Sequence, residues 1–423
     1  MIGSVTTRRL AAGISALAVA IVLLATVEAT AQSSDASTSD DLAKRGEYLV
    51  RAGDCMPCHT GTKGDDFAGG LPLNTPFGQV FSRNITPDKD TGIGDWSLDD
   101  FKQTMWQGKS KDGAYLYPTM PFPFYTTVTD DDIEAIWAYL QTLEPINKAN
   151  KPNGLMFPMS IRESMLGWRE LFFTAGRFET DSAKSDAWNR GAYLVEGLGH
   201  CGACHTPRNL MGGRIESEKF AGAQVDDWWA PNISTNEGTG VGEWSKDELK
   251  TFLKTGVDKR KSTVFGPMAE VVHASLSHLT DDDLDDMATY LLDSRSTTQS
   301  AAESAVAMTP EERQHGGEVY VGNCIACHQE KGAGVAGSIP PLAGNPAVNA
   351  LEPYNIISAV LHGIPATDKF AAMPDFASKL GDQDIADLAN YIRTSWGNTG
   401  EPNVTPALVK HWRDGIDELP SGT

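Results

Sequence analysis

An all-α chain of three tandem units is the fold class that the sequence predicts, and three observations carry the prediction. Six cysteines fall into three identical Cys-x-x-Cys-His spacings with none left over. The stretches around 55–140 and 201–292 keep a near-constant register with one another, as duplicated domains do. No stretch alternates with a convincing period of two, whereas apolar stripes at helical spacing recur along the chain.

The chain has 423 residues, enough for about three domains of ordinary size. Its 35 Lys and Arg stand against 56 Asp and Glu, a net charge of -21. That is the reverse of the basic footprint of nucleic-acid binding, so no nucleic-acid partner is expected. An acidic surface favours solubility and basic partner surfaces without selecting one.

Residues 1–31 read as a secretory signal peptide: Arg8 and Arg9, an apolar run from Leu10 to Val27, then Ala29-Thr30-Ala31 before Gln32. The run is long enough that an uncleaved anchor is the alternative. The first unit, 41–145, opens with Arg45-Gly46-Glu47-Tyr48-Leu49, a helix running into the first cysteine motif. Ser97 with Asp100, and Thr129 with Asp130 to Asp132, predict capped helices, the latter carrying the stripe Ile133, Ile136, Trp137 and Leu140. A connector follows at 146–184. In it Ile161, Met165, Trp168 and Phe172 share one helical face, expected either to pack on the protein or to dock a partner.

The second unit, 185–295, repeats the first. Arg190-Gly191-Ala192-Tyr193-Leu194 opens it, Ser245 starts its middle helix, and Thr280 caps its last, with Leu284, Met287 and Leu291 as the stripe. Asn84-Ile85-Thr86, Trp96 and Met120 match Asn232-Ile233-Ser234, Trp244 and Met268 at an offset of 148, against 146 for the cysteines. A linker at 296–310 leads to a shorter third unit, 311–397, with Gly317 and Tyr320 before its motif and the stripe Ile385, Leu388, Ala389 and Ile392. Residues 398–423 read as a tail. The pairs Tyr48–Tyr139, Tyr193–Tyr290 and Tyr320–Tyr391 are expected to join first and last helices.

The chemistry lies in Cys55-Met56-Pro57-Cys58-His59, Cys201-Gly202-Ala203-Cys204-His205 and Cys324-Ile325-Ala326-Cys327-His328. Two thiols one helical turn apart can each add to a vinyl group of a haem, and the adjacent His then reaches the iron. A zinc site would need four ligands, and a redox dithiol has no use for the histidine. Three covalent haems are therefore expected, on Cys55, Cys58, Cys201, Cys204, Cys324 and Cys327, with His59, His205 and His328 on the irons.

Met120, Met268 and Met373, each beside proline, are the candidates for the opposite ligand, 61, 63 and 45 residues beyond the histidines. His273 and His278 are alternatives for the second haem. Trp96 and Trp244 either donate to haem propionates or simply pack. His200, His315, His362 and His411 have no matched counterparts, and surface or supporting roles are their default.

Three such units, each with a downstream Met and a last helix ending Tyr-Leu or Tyr-Ile, resemble tandem class I cytochrome c domains, each wrapped around one covalently attached haem. Asn84-Ile85-Thr86-Pro87-Asp88, Gly92-x-Gly94-x-Trp96, Tyr117-Pro118-Thr119-Met120-Pro121 and Pro267-Met268-Ala269-Glu270-Val271-Val272 narrow the resemblance. They are similar to the triheme cytochrome c subunit of bacterial membrane-associated alcohol, aldehyde, gluconate, sorbitol and fructose dehydrogenases, over nearly the whole mature chain. The resemblance implies a periplasmic subunit at the outer face of the cytoplasmic membrane. It would take electrons from a separate catalytic large subunit of quinoprotein, flavoprotein or molybdenum type and pass them to ubiquinone. It implies no substrate site on this chain. The readings of another class are a self-contained multihaem enzyme such as a peroxidase, which needs an open iron position, and a terminal-oxidase subunit, which normally needs an anchor.

Overall fold

The computed structural model describes residues 39–236, 240–257, 263–295, 307–367 and 369–414. The leader, with its alternative as an anchor, and most of the linker lie outside the described residues. Each unit has the same frame, a first helix crossing a last one. These are α1 (39–52), α2 (Leu98–Gln107) and α3 (Asp130–Leu140) in the first unit, then α4 (Ser164–Phe172) in the connector. The second unit has α5 (Asp186–Tyr193), α6 (Lys246–Thr255) and α7 (Asp281–Leu291). The third has α8 (Pro310–Asn323), α9 (Tyr354–His362), α10 (Asp382–Arg393) and α11 (Pro406–Asp414).

The caps fall where the sequence places them. Ser97 and Ser245 each form a complete capping box, with Asp100 and Glu248, and the Thr129 and Thr280 hydroxyls accept from Asp132 and Asp283 N–H. Left-handed Gly108 and Gly256 end α2 and α6.

A glycine sets the helix crossing in every unit. A Cβ on Gly46 would run into the Ala135 carbonyl, one on Gly191 into that of Asp286, and one on Gly316 into that of Asp387. The Cβ atoms of Tyr139, Tyr290 and Tyr391 pack against the same three glycines. In the third unit it is thus Gly316 that takes the place of Gly46 and Gly191, one residue before the expected Gly317. From Gly191 to Cys201 there is one residue more than from Gly46 to Cys55. The π-turn Leu194–Leu198 absorbs it ahead of the cysteine motif.

The first two units share one hydrophobic core, running from Leu49 through Ile136 and Leu194 to Leu291, while the third has its own. A reciprocal polar seam joins the first two. Tyr48 Oη donates to Asp283 Oδ2 at 2.5 Å and Tyr193 Oη to Asp132 Oδ2 at 2.5 Å. Each hydroxyl also accepts from a cap N–H of the other unit, Thr280 and Thr129 respectively, at 3.2 Å. Arg45 and Arg190 hold the same aspartates from within their own units, at 2.5 and 2.8 Å. Two expected tyrosine pairs are thereby corrected: Tyr48 and Tyr193 reach across the seam, and Tyr290 bonds Glu196. Tyr320 and Tyr391 do meet, with ring centroids 5.8 Å apart.

The third unit cannot join such a seam, because exposed Glu318 stands two residues after Gly316, where the others have tyrosine. His315 takes the arginine position instead, 2.8 Å from Asp387 and 3.3 Å from Asp384, so it has a positional counterpart after all. Tyr193→Phe should cost about 1–3 kcal/mol, a hydrogen bond to a charged acceptor. A double-mutant cycle with Asp132→Asn, read from denaturant midpoints, measures that coupling.

The all-α expectation needs correction, although helices dominate. Strands β1 (Pro72–Thr75), β2 (Gly78–Phe81) and β3 (Gly154–Leu155) form one small antiparallel sheet, and β4 (Ala223–Val225) with β5 (Trp228–Ala230) a second. Such strands are too short to display an alternating pattern. Their turns are marked only by Gly78 and Asp226, both at positive φ.

The connector takes the packing alternative, except at Ile161, which is 47% exposed. Met165 and Trp168 are buried against Val80, Tyr117 and Phe122 of the first unit, and half-buried Phe172 joins them. That face of α4 is a packing face. The tail region carries α11, whose Val409 and Trp412 are buried in the third unit's core.

Candidate haem sites

All three motifs adopt one local geometry. A single helical turn brings each His N–H onto the carbonyl of the first cysteine: His59 to Cys55 at 3.0 Å, His205 to Cys201 at 3.0 Å, His328 to Cys324 at 2.9 Å. Both thiols and the ring therefore sit on one short helical ridge. All six thiols are free. Burial pushes Cys55, Cys58 and Cys201 up to about 12 and Cys324 up to about 11, the opposite of the lowered value of a redox dithiol. Among the described residues, no three His, Cys, Asp or Glu side chains cluster to hold a metal ion directly.

The histidines are prepared as ligands. Burial lowers all three below the ordinary imidazole value, opposed by backbone hydrogen bonds, so the rings stay neutral at pH 7. His59 Nδ1 lies 2.6 Å from the Arg83 carbonyl and His205 Nδ1 2.7 Å from the Pro231 carbonyl. A carbonyl accepts only, so Nδ1 carries the proton and the Nε2 lone pair is left for a metal. His328 has Pro340 as its backbone neighbour, but its buried Nδ1 meets no partner within hydrogen-bond geometry.

The repeated Asn-Ile-Thr/Ser motif now has a reason. Asn84 and Asn232 directly follow the two accepting carbonyls, and each side chain closes a tight turn. Asn84 Oδ1 accepts from Thr86 N and Oγ1 at 2.9 and 2.7 Å, and Asn232 Oδ1 from Ser234 N and Oγ at 2.8 and 2.7 Å. The turn holds the carbonyl that holds the histidine.

A cavity of ≈ 610 Å³ opens beside the second motif, within the roughly 300–1,000 Å³ usual for a cofactor-sized site. Cys201, Cys204, His205, Met268 and Trp244 all line it. Met268 is fixed by the short turn Pro267–Glu270, started at Gly266, whose missing side chain leaves room for the Trp228 ring. His273 and His278, the alternatives, are exposed and outside the cavity wall. The donor set and the apolar lining fit a covalently held haem.

Around the first motif, half-buried Met120 packs on the same core as Cys55, within a turn closed by its N–H on Tyr117 O at 3.0 Å. A cleft of ≈ 600 Å³ passes behind that motif along Asp54, Met56 and Pro57, and does not include His59. In the third unit Met373 packs on the core containing Cys324, held by the bridge to Ile364. Trp96 is half-buried against the shared core.

Three features were not readable in the sequence. The third unit closes the second unit's cavity with Pro346, Leu351 and Asn355, and Asn355 exchanges two 2.9 Å hydrogen bonds with the Trp229 backbone. Trp229 also meets Tyr354, with centroids 5.2 Å apart. Half-buried His200, beside Cys201, lies against the Tyr125 ring of the first unit, centroids 5.7 Å apart; desolvation lowers it to about 4, leaving it neutral.

Residues 43–144 and 314–396 match the cytochrome c family model. The chain is 40% identical to the gluconate 2-dehydrogenase cytochrome c subunit of Pantoea cypripedii, over 90% of this chain and 91% of that one. It is 39% identical to the cytochrome c subunit of the quinone-type alcohol dehydrogenase of Gluconobacter oxydans, over 94% and 87%. Against the fructose dehydrogenase cytochrome subunit of Gluconobacter japonicus the figures are 35%, 95% and 89%. With cytochrome c motifs on the page and relatives aligned nearly end to end, the chain belongs to the family of haem-bearing cytochrome c subunits of bacterial alcohol, gluconate and fructose dehydrogenases.

Proposed function

We propose that this chain is a periplasmic three-haem relay that carries electrons from a catalytic dehydrogenase subunit to ubiquinone at the membrane. Cys55 and Cys58, Cys201 and Cys204, and Cys324 and Cys327 hold the three haems through thioether bonds. His59 with Met120, His205 with Met268, and His328 with Met373 would hold the irons. When bound, each haem supplies a one-electron couple, and His–Met ligation raises its potential.

The protein residues supply position and environment. Carbonyls fix the tautomer of His59 and His205, the proline-stiffened turns present the methionines, and the shared core keeps the first two sites at a constant separation. With a histidine and a methionine on each iron no position would be left for a substrate, so the dehydrogenase chemistry would belong to the partner. The convergence of Cys201, Cys204, His205 and Met268 on one apolar cavity is the observation that carries the reading.

The purified holoprotein should show no dehydrogenase activity alone and should restore quinone reductase activity when added to the catalytic subunit. Substrate oxidation by the isolated chain would overturn the reading. N-terminal sequencing should find a mature start near Gln32, as export to the periplasm requires.

A further inference from the structure

The hairpins of the first two units are met at one matched point by the same kind of side chain, drawn from different parts of the chain. Phe81 and Trp229 stand 148 residues apart at corresponding positions of β2 and β5. Phe81 N–H donates to Asn153 Oδ1 at 3.0 Å, and Trp229 N–H to Asn355 Oδ1 at 2.9 Å. Asn153 belongs to the connector that follows the first unit. Asn355 belongs to α9 of the third unit, beyond the linker. Two segments of unrelated origin thus satisfy one strand-edge donor, which marks that edge as a docking point built into the repeat.

What docks on the second hairpin also walls the second site. Pro346, Leu351 and Asn355 close the cavity lined by Cys201, Cys204, His205 and Met268. Asn355 Nδ2 donates to the Trp229 carbonyl at 2.9 Å, and the fully buried Ser358 hydroxyl donates to the Asp227 carbonyl. The wall is braced from behind. Arg393, 0% exposed, donates to the carbonyls of Val348 at 3.0 Å, Leu351 at 3.4 Å and Glu401 at 2.8 Å. A buried cation is costly unless its donors are met, so the guanidinium ties the segment 346–351 firmly to α10. Water beside a haem favours the oxidised iron, which carries the extra positive charge, and an apolar wall opposes that.

We infer that Asn355 is a positioning residue for the second haem: it fastens the third unit onto the Trp229 edge, so that the segment 346–355 keeps water from the second site and holds that haem's potential up. The inference rests on the haem reading of the second motif and adds that the site is complete only with the third unit in place. Electron transfer through the second haem then depends on a contact that another unit makes.

The test is a redox titration of the holoprotein, followed in the c-type haem absorption, with Asn355→Ala beside the unmutated chain. One haem transition should shift toward the oxidised form, by about fivefold or more in its equilibrium with a mediator of fixed potential, while the others stay. Met268→Ala identifies the second haem's transition, which should be the same one. Adding Asn355→Ala to Met268→Ala should let carbon monoxide bind the opened haem several-fold faster. Asn153→Ala, at the matched point of the first hairpin, should leave the second haem's transition where it was. Ser358→Ala removes one hydroxyl and little bulk, and should give a smaller shift of the same transition, which keeps the test available if Asn355→Ala fails to fold. General loss of stability would not single out one haem. Unmoved transitions in both variants, or movement of a haem other than the one Met268→Ala marks, would overturn the inference. Peptide mass spectrometry that finds no haem on Cys201 and Cys204 would strike the haem reading and the inference together, whereas a haem there that ignores both variants strikes the inference alone.

Discussion

Met268→Ala should turn one haem high-spin and let it bind carbon monoxide, with the other haems untouched. Met268 and His205 line one cavity, and the other thioether and imidazole in its wall are committed elsewhere: Met287 is buried on α7 in the shared core, and half-buried His200 lies against the first unit's aromatic rings. Removing the thioether leaves the iron five-coordinate, open to an exogenous ligand, and lowers its potential. His273→Ala is the matched comparison, since His273 is exposed on the π-turn Val271–Ser275 and should leave the spectrum as it was. An unchanged spectrum in Met268→Ala, with a changed one in His273→Ala, would reverse the assignment.

Gly191→Ala should destabilise the protein by on the order of 3 kcal/mol, read as a fall in the denaturant midpoint. The added methyl would lie within the Asp286 carbonyl and against Tyr290 Cβ, where α5 crosses α7. Backbone cannot swing aside as a flexible side chain can, so the helices must separate, and with them part of the core shared by the first two units. Gly167→Ala tests the cause, because a Cβ there meets nothing within 4 Å. At that exposed helical position alanine should be neutral or stabilising, by up to about 1 kcal/mol. Equal losses in both variants would show that the close crossing is not the reason.

Local chemistry was legible in the sequence, and contacts between units were not. The cysteine spacing, the four caps at Ser97, Thr129, Ser245 and Thr280, and the Asn-Ile-Thr repeat each act within a few residues, so their pattern survives in one dimension. Helix α4 left two readings open because it is apolar around most of its circumference: Met165, Leu166, Trp168, Leu171 and Phe172 satisfy more than one face. Periodicity then identifies a helix and leaves open which face packs. The seam joining Tyr48 to Asp283 spans 235 residues and follows from the paired arrangement of duplicated units, which no single repeat encodes. The hairpins escaped notice because three or four residues are too few to show a period.

The central claim is that electrons enter this chain from a dehydrogenase subunit and leave it for quinone. The most direct measurement mixes the oxidised holoprotein anaerobically with its catalytic subunit and that subunit's substrate, follows the c-type haem absorption, and then adds ubiquinone. The relay predicts full haem reduction that requires both substrate and catalytic subunit, followed by reoxidation on addition of quinone. Haems that stay oxidised while substrate is consumed, or that stay reduced in the presence of quinone, would contradict it.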